Sequence, residues 1–138
     1  MNFLYVCSSN KDRSPALSAY IAATNKQHNH KSAGINKYFC EKNKTTLITK
    51  ADVEWADVIV CMEQVHYKRM KELFKLDEET PDWLKRKAAI VLNNGEFTPN
   101  SSSAEDWLMR AEDKISYYLK ISSTNEFPHK ILQNPHIY

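Results

Sequence analysis

The stretch Cys7-Ser8-Ser9-Asn10-Lys11-Asp12-Arg13-Ser14-Pro15 holds the residues whose types and spacing could do chemistry. Cys7 supplies a nucleophile, and five residues separate it from Arg13. That interval lets a backbone wrap around a tetrahedral oxyanion with successive N–H groups pointing inward. Arg13 would close the ring with a planar fork able to bind two oxygens of the same anion. Pro15 suits the first turn of a helix, with Ser14 as its cap, and the positive end of that helix would point at the same anion. Such a field favours the thiolate form of a cysteine, the form that attacks. Ser14 is placed to donate a hydrogen bond to the sulfur and help it leave in a second step.

This loop needs a strand before it and a helix behind it. Residues 3–6 are an apolar run that stops at Cys7, and Leu17, Tyr20 and Ile21 continue past Pro15 at helical spacing. Further along, residues 31–35 read as a short strand ended by Gly34, and residues 36–43 as a loop carrying Tyr38, Phe39 and Cys40. Thr49 opens a short helix with Asp52 and Glu54 near its start. Residues 58–62 are a continuous apolar strand, covered on both faces. Val65, Met70, Leu73 and Phe74 form a helical stripe. Residues 75–87 are polar and contain Pro81; residues 88–92 form a fourth strand. Asn93-Asn94-Gly95 is a turn, and Ser103 caps a helix over about residues 104–119. The tail, 121–138, has no period and is left unassigned. Strands alternating with helices imply an α/β domain of three layers, α/β/α, around a four-stranded parallel sheet. Ligands in such sheets bind beyond the carboxyl ends of the strands, where the Cys7 loop lies.

Composition limits the classes of function. A chain of 138 residues is expected to be one domain, 1–138. With 42% hydrophobic and 26% charged residues it reads as an ordinary globular chain. A net charge of +2 argues against nucleic acid as partner, and no apolar run approaches the ~20 residues of a membrane span. An N-terminus without a signal-like stretch and three cysteines without paired spacing suggest a cytoplasmic protein. There are only two glycines, Gly34 and Gly95, so left-handed backbone positions should fall to asparagine.

The loop resembles that of the low-molecular-weight protein tyrosine phosphatases, and its Cys-Ser-Ser-Asn opening is similar to the related RNA polymerase II C-terminal-domain phosphatases. Lys31-Ser32-Ala33-Gly34 is similar to that family's second strand. Ile48-Thr49-Lys50-Ala51-Asp52 and Ala56-Asp57-Val58-Ile59-Val60-Cys61-Met62 resemble its third helix–strand unit. The resemblance covers about residues 2–120. It implies a phosphotyrosine protein phosphatase I-like fold and a phosphomonoester hydrolase working through a phosphocysteine, with no cofactor and no metal. By it, Cys7 is the nucleophile, Arg13 the phosphate clamp and Ser14 the aid to the thiolate. Asn10 holds the loop in a left-handed conformation, and the amides of Ser8, Ser9, Asn10, Lys11, Asp12 and Arg13 cradle phosphate. The implied partners are a phosphorylated protein or a small phosphomonoester, with inorganic phosphate or a similar oxyanion in the loop.

Two departures stand out. Asp12 occupies the place where many members carry a second cysteine. The family's general-acid aspartate has no counterpart after the fourth strand, and by the strand's end Glu96 falls in its place, with Asp106 in reserve. Tyr38, Phe39 and Phe97 are candidate walls of the substrate cleft. Cys61 reads as a buried structural thiol, Cys40 as a surface thiol, and His28 and His30 as a solvated helix end. His66, His129 and His136 have no support as catalysts; Lys68, Arg69 and Lys71 read as a solvated face. Two other functions compete: a phosphate-binding pseudophosphatase that has lost its acid, and, third, an arsenate reductase, which would need paired cysteines.

Overall fold

The computed structural model describes the backbone of residues 1–74 and 87–124, with side chains through residue 120. The polar segment around Pro81, and His129 and His136 in the tail, lie outside the described residues. Four strands, β1 (Asn2–Cys7), β2 (Asn29–Gly34), β3 (Val58–Cys61) and β4 (Ala88–Val91), form one parallel sheet in the order β2-β1-β3-β4. The helices are α1 (Arg13–Thr24), α2 (Lys37–Asn43), α3 (Lys50–Trp55), α4 (Gln64–Leu73) and α5 (Ala104–Thr124). The α/β architecture expected from the alternation is present.

Alternation along the strands builds both layers. Phe3, Tyr5 and Cys7 of β1 face one way, with Val58, Val60 and Ile90, against Leu17 and Ile21 of α1 and Trp107, Ala111 and Ile115 of α5. Leu4 and Val6 face the other way, with Ile59, Cys61 and Val91, against Val53 of α3 and Met70 of α4. Both faces are covered, so the central strands are apolar throughout, as a buried parallel sheet requires. The register pairs Cys7 with Gly34, Val6 with Cys61, and Cys61 with Val91. The strands therefore end nearly level, and the segments after all four meet along one edge.

Several elements differ from the sequence reading. Residues 37–43, read as loop, are α2. Asn36 caps it by accepting from the Phe39 amide at 3.0 Å, and Lys44 at φ 55° ends it. Cys40 is the one buried residue of this helix, so there was no apolar stripe to betray it. Cys40 is accordingly not a surface thiol, being only 2% exposed. On α4 the buried positions are His66 and Met70, while Val65 and Leu73 are exposed. Helix α1 starts one residue before Ser14, with Asp12 at the capping position and no side-chain cap bond; the Ser14 hydroxyl is spent elsewhere. Helix α5 extends to Thr124, so the first residues of the unassigned tail are helical. His28 and His30 are not a solvated helix end. His28 Nδ1 bonds the N-terminal amine at 2.8 Å, and His30, inside β2, bonds the Tyr5 hydroxyl at 3.0 Å. Thr49 opens α3 as read, and with Asp52 it forms a capping box. Asparagine does take left-handed positions, at Asn10, Asn93 and Asn100. Among the described residues no helix is long and apolar enough to cross a membrane.

Candidate active site

Strand β1 delivers Cys7 to the level edge of the sheet, and α1 begins six residues later with Arg13. Asn10 turns the intervening loop with φ 53°, the left-handed conformation an asparagine tolerates. Its Oδ1 accepts from Ser14 Oγ at 2.9 Å, and Ser14 Oγ lies 2.9 Å from Cys7 Sγ. Ser14 is fully buried. One hydroxyl hydrogen serves two neighbours. With Cys7 as a thiol, S–H donates to Ser14 and Ser14 donates to Asn10. With Cys7 as a thiolate, the hydroxyl hydrogen turns to the sulfur. The three residues named from the sequence, Cys7, Asn10 and Ser14, thus form one connected relay.

The back of the loop is fastened to the segment after β2. Ile35 N donates to Cys7 O and Asn36 N to Ser8 O, both at 2.9 Å, and Thr45 Oγ1 donates to Ser9 O. Gly34 makes this approach possible. A Cβ there would stand 2.4 Å from Cys40 Sγ and 2.8 Å from Ser8 O. The glycine is required by close approach, with Cys40 filling the space beneath the loop.

Arg13 faces a cavity of about 610 Å³ shared with Asp12, Glu63, Asn93, Gly95, Glu96, Phe97 and Thr98. Glu96, placed by the sequence in the general-acid role, lines this cavity. Its loop is held to α5: Asn94 Nδ2 donates to Trp107 O at 2.8 Å, and Trp107 Nε1 donates to Gly95 O at 3.1 Å. Phe97 packs on Trp107 with ring centres 4.9 Å apart, so it is both wall and anchor. Asp12 also lines the cavity, beside the proposed anion site. Asp106 sits in the first turn of α5 and accepts from Arg110 at 2.9 Å. Lys11 is exposed on the loop.

The sequence reading gives no role at this site to two residues that the structure places there, Glu63 and His66. Arg13 Nη1 donates to Glu63 Oε2 at 2.7 Å, and this hydrogen bond, with the charge of Arg13, holds the Glu63 carboxyl below its ordinary range. His66 Nδ1 accepts from the Glu63 amide at 3.0 Å, and its Nε2 lies 2.9 Å from Ser8 Oγ. A backbone amide can only donate, so Nδ1 is the bare nitrogen and Nε2–H donates to Ser8. The Ser8 hydroxyl hydrogen is then left to point away from the ring. Burial, with help from Arg13 and against Glu63, pushes the His66 pKa down to about 4. His66 is therefore neutral at ordinary pH. The signal was available: Glu63 and His66 stand three apart at the start of α4, the spacing of a capping box, directly after the strand next to β1.

Tyr38 lines a second groove on the other side of the loop, together with Ser8 and His66. Phe39 leans edge-on against Tyr38, ring centres 5.5 Å apart. Arg69, read as part of a solvated face, lines the same groove. Cys61 is buried and its thiol is pushed up to about 12, as a structural thiol should be.

No protein-family model matches the chain, and no curated protein matches it. Solved structures do. A low molecular weight protein tyrosine phosphatase from Streptococcus pyogenes, SP-PTP, superposes with a TM-score of 0.59 at 14% identity, over 84% of this chain and 91% of that one. The tyrosine phosphatase Wzb from Escherichia coli K30, in complex with phosphate, gives 0.55 at 16% identity, over 81% and 91%. The arginine phosphatase YwlE from Geobacillus stearothermophilus gives 0.52 at 20% identity, over 86% and 96%. The fold is that of the low-molecular-weight protein tyrosine phosphatases, the family the Cys7 loop resembles.

Proposed function

We propose that the protein is a cysteine-dependent phosphomonoester hydrolase acting on aryl phosphates such as phosphotyrosine. The observation that carries this reading is the relay Cys7–Ser14–Asn10 at the mouth of α1, with Arg13 opening onto a cavity that also holds Glu96. The Cys7 thiolate attacks phosphorus; the S–P bond forms as the P–O bond to the leaving group breaks. Glu96 gives its proton to the departing oxygen. Loop amides and Arg13 take up the charge on the phosphoryl oxygens. Water then attacks the phosphocysteine, Glu96 takes its proton back, and the Ser14 hydroxyl donates to the departing sulfur. We place Cys7 and Arg13 at the centre of this chemistry, with Glu96 as the acid.

The test is turnover of p-nitrophenyl phosphate and phosphotyrosine by wild type, Cys7→Ser and Glu96→Gln. Cys7→Ser loses turnover and keeps phosphate binding. Positioned proton transfer is worth ~10²–10⁴-fold, and a phenolate leaving group needs it more than a nitrophenolate does. Glu96→Gln therefore slows phosphotyrosine hydrolysis far more than p-nitrophenyl phosphate hydrolysis. Hydrolysis by pure Cys7→Ser protein contradicts the reading. Phosphate binding by a wild type that turns nothing over favours the pseudophosphatase.

A further inference from the structure

The phosphate loop stands between two clefts of opposite character. On the Arg13 side three carboxylates, Asp12, Glu63 and Glu96, line the wall. On the other side a groove of about 520 Å³ runs between the segment after β2 and the outer face of α4. Ile35 and Tyr38 form one of its sides, Val65 and Leu73 the other. Tyr38, Val65 and Leu73 are 66%, 60% and 42% exposed. Apolar residues so exposed, on two elements facing one space, leave a surface without a partner in the described chain. Lys37 and Arg69 border the groove. Their ion pairs, with Glu41 at 4.0 Å and Glu72 at 3.6 Å, are exposed and weak, so both cations can yield to an incoming carboxylate.

The groove is continuous with the catalytic site. Ser8, the residue after Cys7, lines it, and so does His66, which donates to Ser8. A chain whose phosphorylated residue sits over Cys7 has its next side chain one step away, ~3.5 Å along the backbone.

We propose that this groove is a subsite for the residues flanking a phosphorylated tyrosine in a protein substrate, taking an apolar side chain followed by an acidic one. The proposal rests on the phosphatase reading and adds that the substrate is a peptide segment. The acidic cavity repels a flanking carboxylate, whereas Lys37 and Arg69 attract one, so the two clefts fix which end of the peptide lies where.

The test compares kcat/KM for phosphotyrosine peptides carrying Leu-Glu, Ala-Glu or Leu-Lys beside the phosphotyrosine, with the pair on each side in turn. p-Nitrophenyl phosphate, too small to reach the groove, is the control. In wild type, Leu-Glu peptides exceed Ala-Glu by roughly tenfold, the worth of partly burying one leucine side chain. Leu73→Ser abolishes that preference, and Arg69→Glu turns the Glu preference into one for Lys. Both variants hydrolyse p-nitrophenyl phosphate like wild type. Equal kcat/KM for all peptides, with p-nitrophenyl phosphate turned over, overturns the subsite and leaves the phosphatase reading intact. A wild type inert toward p-nitrophenyl phosphate removes both. If Leu73→Ser alters only the sedimentation of the protein, the groove is a face for a second copy and the subsite is refuted.

Discussion

Burying a neutral histidine beside the Cys7 loop ties folding stability to pH. Free histidine titrates near 6.5, whereas His66 in the folded chain is pushed down to about 4. Above pH 6.5 both the folded and unfolded forms are neutral, and the residue adds no pH dependence. Below it the unfolded chain binds a proton that the folded chain refuses, so stability falls with pH until about 4. Each pH unit costs ~1.4 kcal/mol, which gives roughly 3 kcal/mol across the window. Glu63 acts lower: its carboxyl is held below the ordinary range, so its stabilisation is lost only as pH falls through that lowered value. The perturbation is His66→Gln, which cannot titrate. Urea unfolding, followed by tryptophan fluorescence at pH 7 and pH 4.5, reads the effect. At pH 7 wild type is the more stable, because a glutamine that accepts from the Glu63 amide does not also reproduce the imidazole's donation to Ser8 and its buried packing. On going to pH 4.5 wild type loses on the order of 2–3 kcal/mol more than the variant does. Equal losses in the two proteins would show that His66 protonates freely and that its hydrogen bonds to Ser8 and Glu63 are not maintained.

Arg13→Lys should lose phosphate inhibition and turnover together, because an ammonium cannot hold two oxygens of one anion in a planar fork; unchanged inhibition by phosphate counts against the clamp. Glu63→Gln keeps an acceptor for Arg13 and removes a negative charge beside the proposed anion site, so inorganic phosphate should inhibit severalfold more tightly, read as Ki at fixed ionic strength. Gly34→Ala forces a Cβ into Cys40 Sγ and the Ser8 carbonyl. It should cost ~1–3 kcal/mol in urea unfolding. Adding Cys40→Ala should recover only part of this, because the clash with the loop backbone persists.

The sequence made the sheet and the loop legible for physical reasons. The apolar runs at residues 3–6, 58–62 and 88–92 correspond to strands buried on both faces, where every position is apolar. The Cys7–Arg13 spacing and Asn10 are dictated by the loop's curvature, so they appear directly in residue type and interval. Helix α2 was hidden because it buries one residue, Cys40, and has no stripe to read. Val65 and Leu73 fall on one helical stripe with Met70 in the sequence, but only Met70 is buried; Val65 and Leu73 face a groove, which spacing along one helix does not reveal. His66 was passed over because its partners, Ser8 and the Glu63 amide, are set by the pairing of β1 with β3 and not by sequence neighbours alone.

The central claim is that phosphate passes through the Cys7 sulfur. Acid quenching of the enzyme during phosphotyrosine turnover, followed by mass analysis of its peptides, tests this most directly. The account predicts a phosphoryl group on the peptide containing Cys7, lost on brief exposure to neutral water and absent from Cys7→Ser. Product release with no phosphorylated cysteine at any time point during turnover, or a phosphoryl group on another residue, would contradict it.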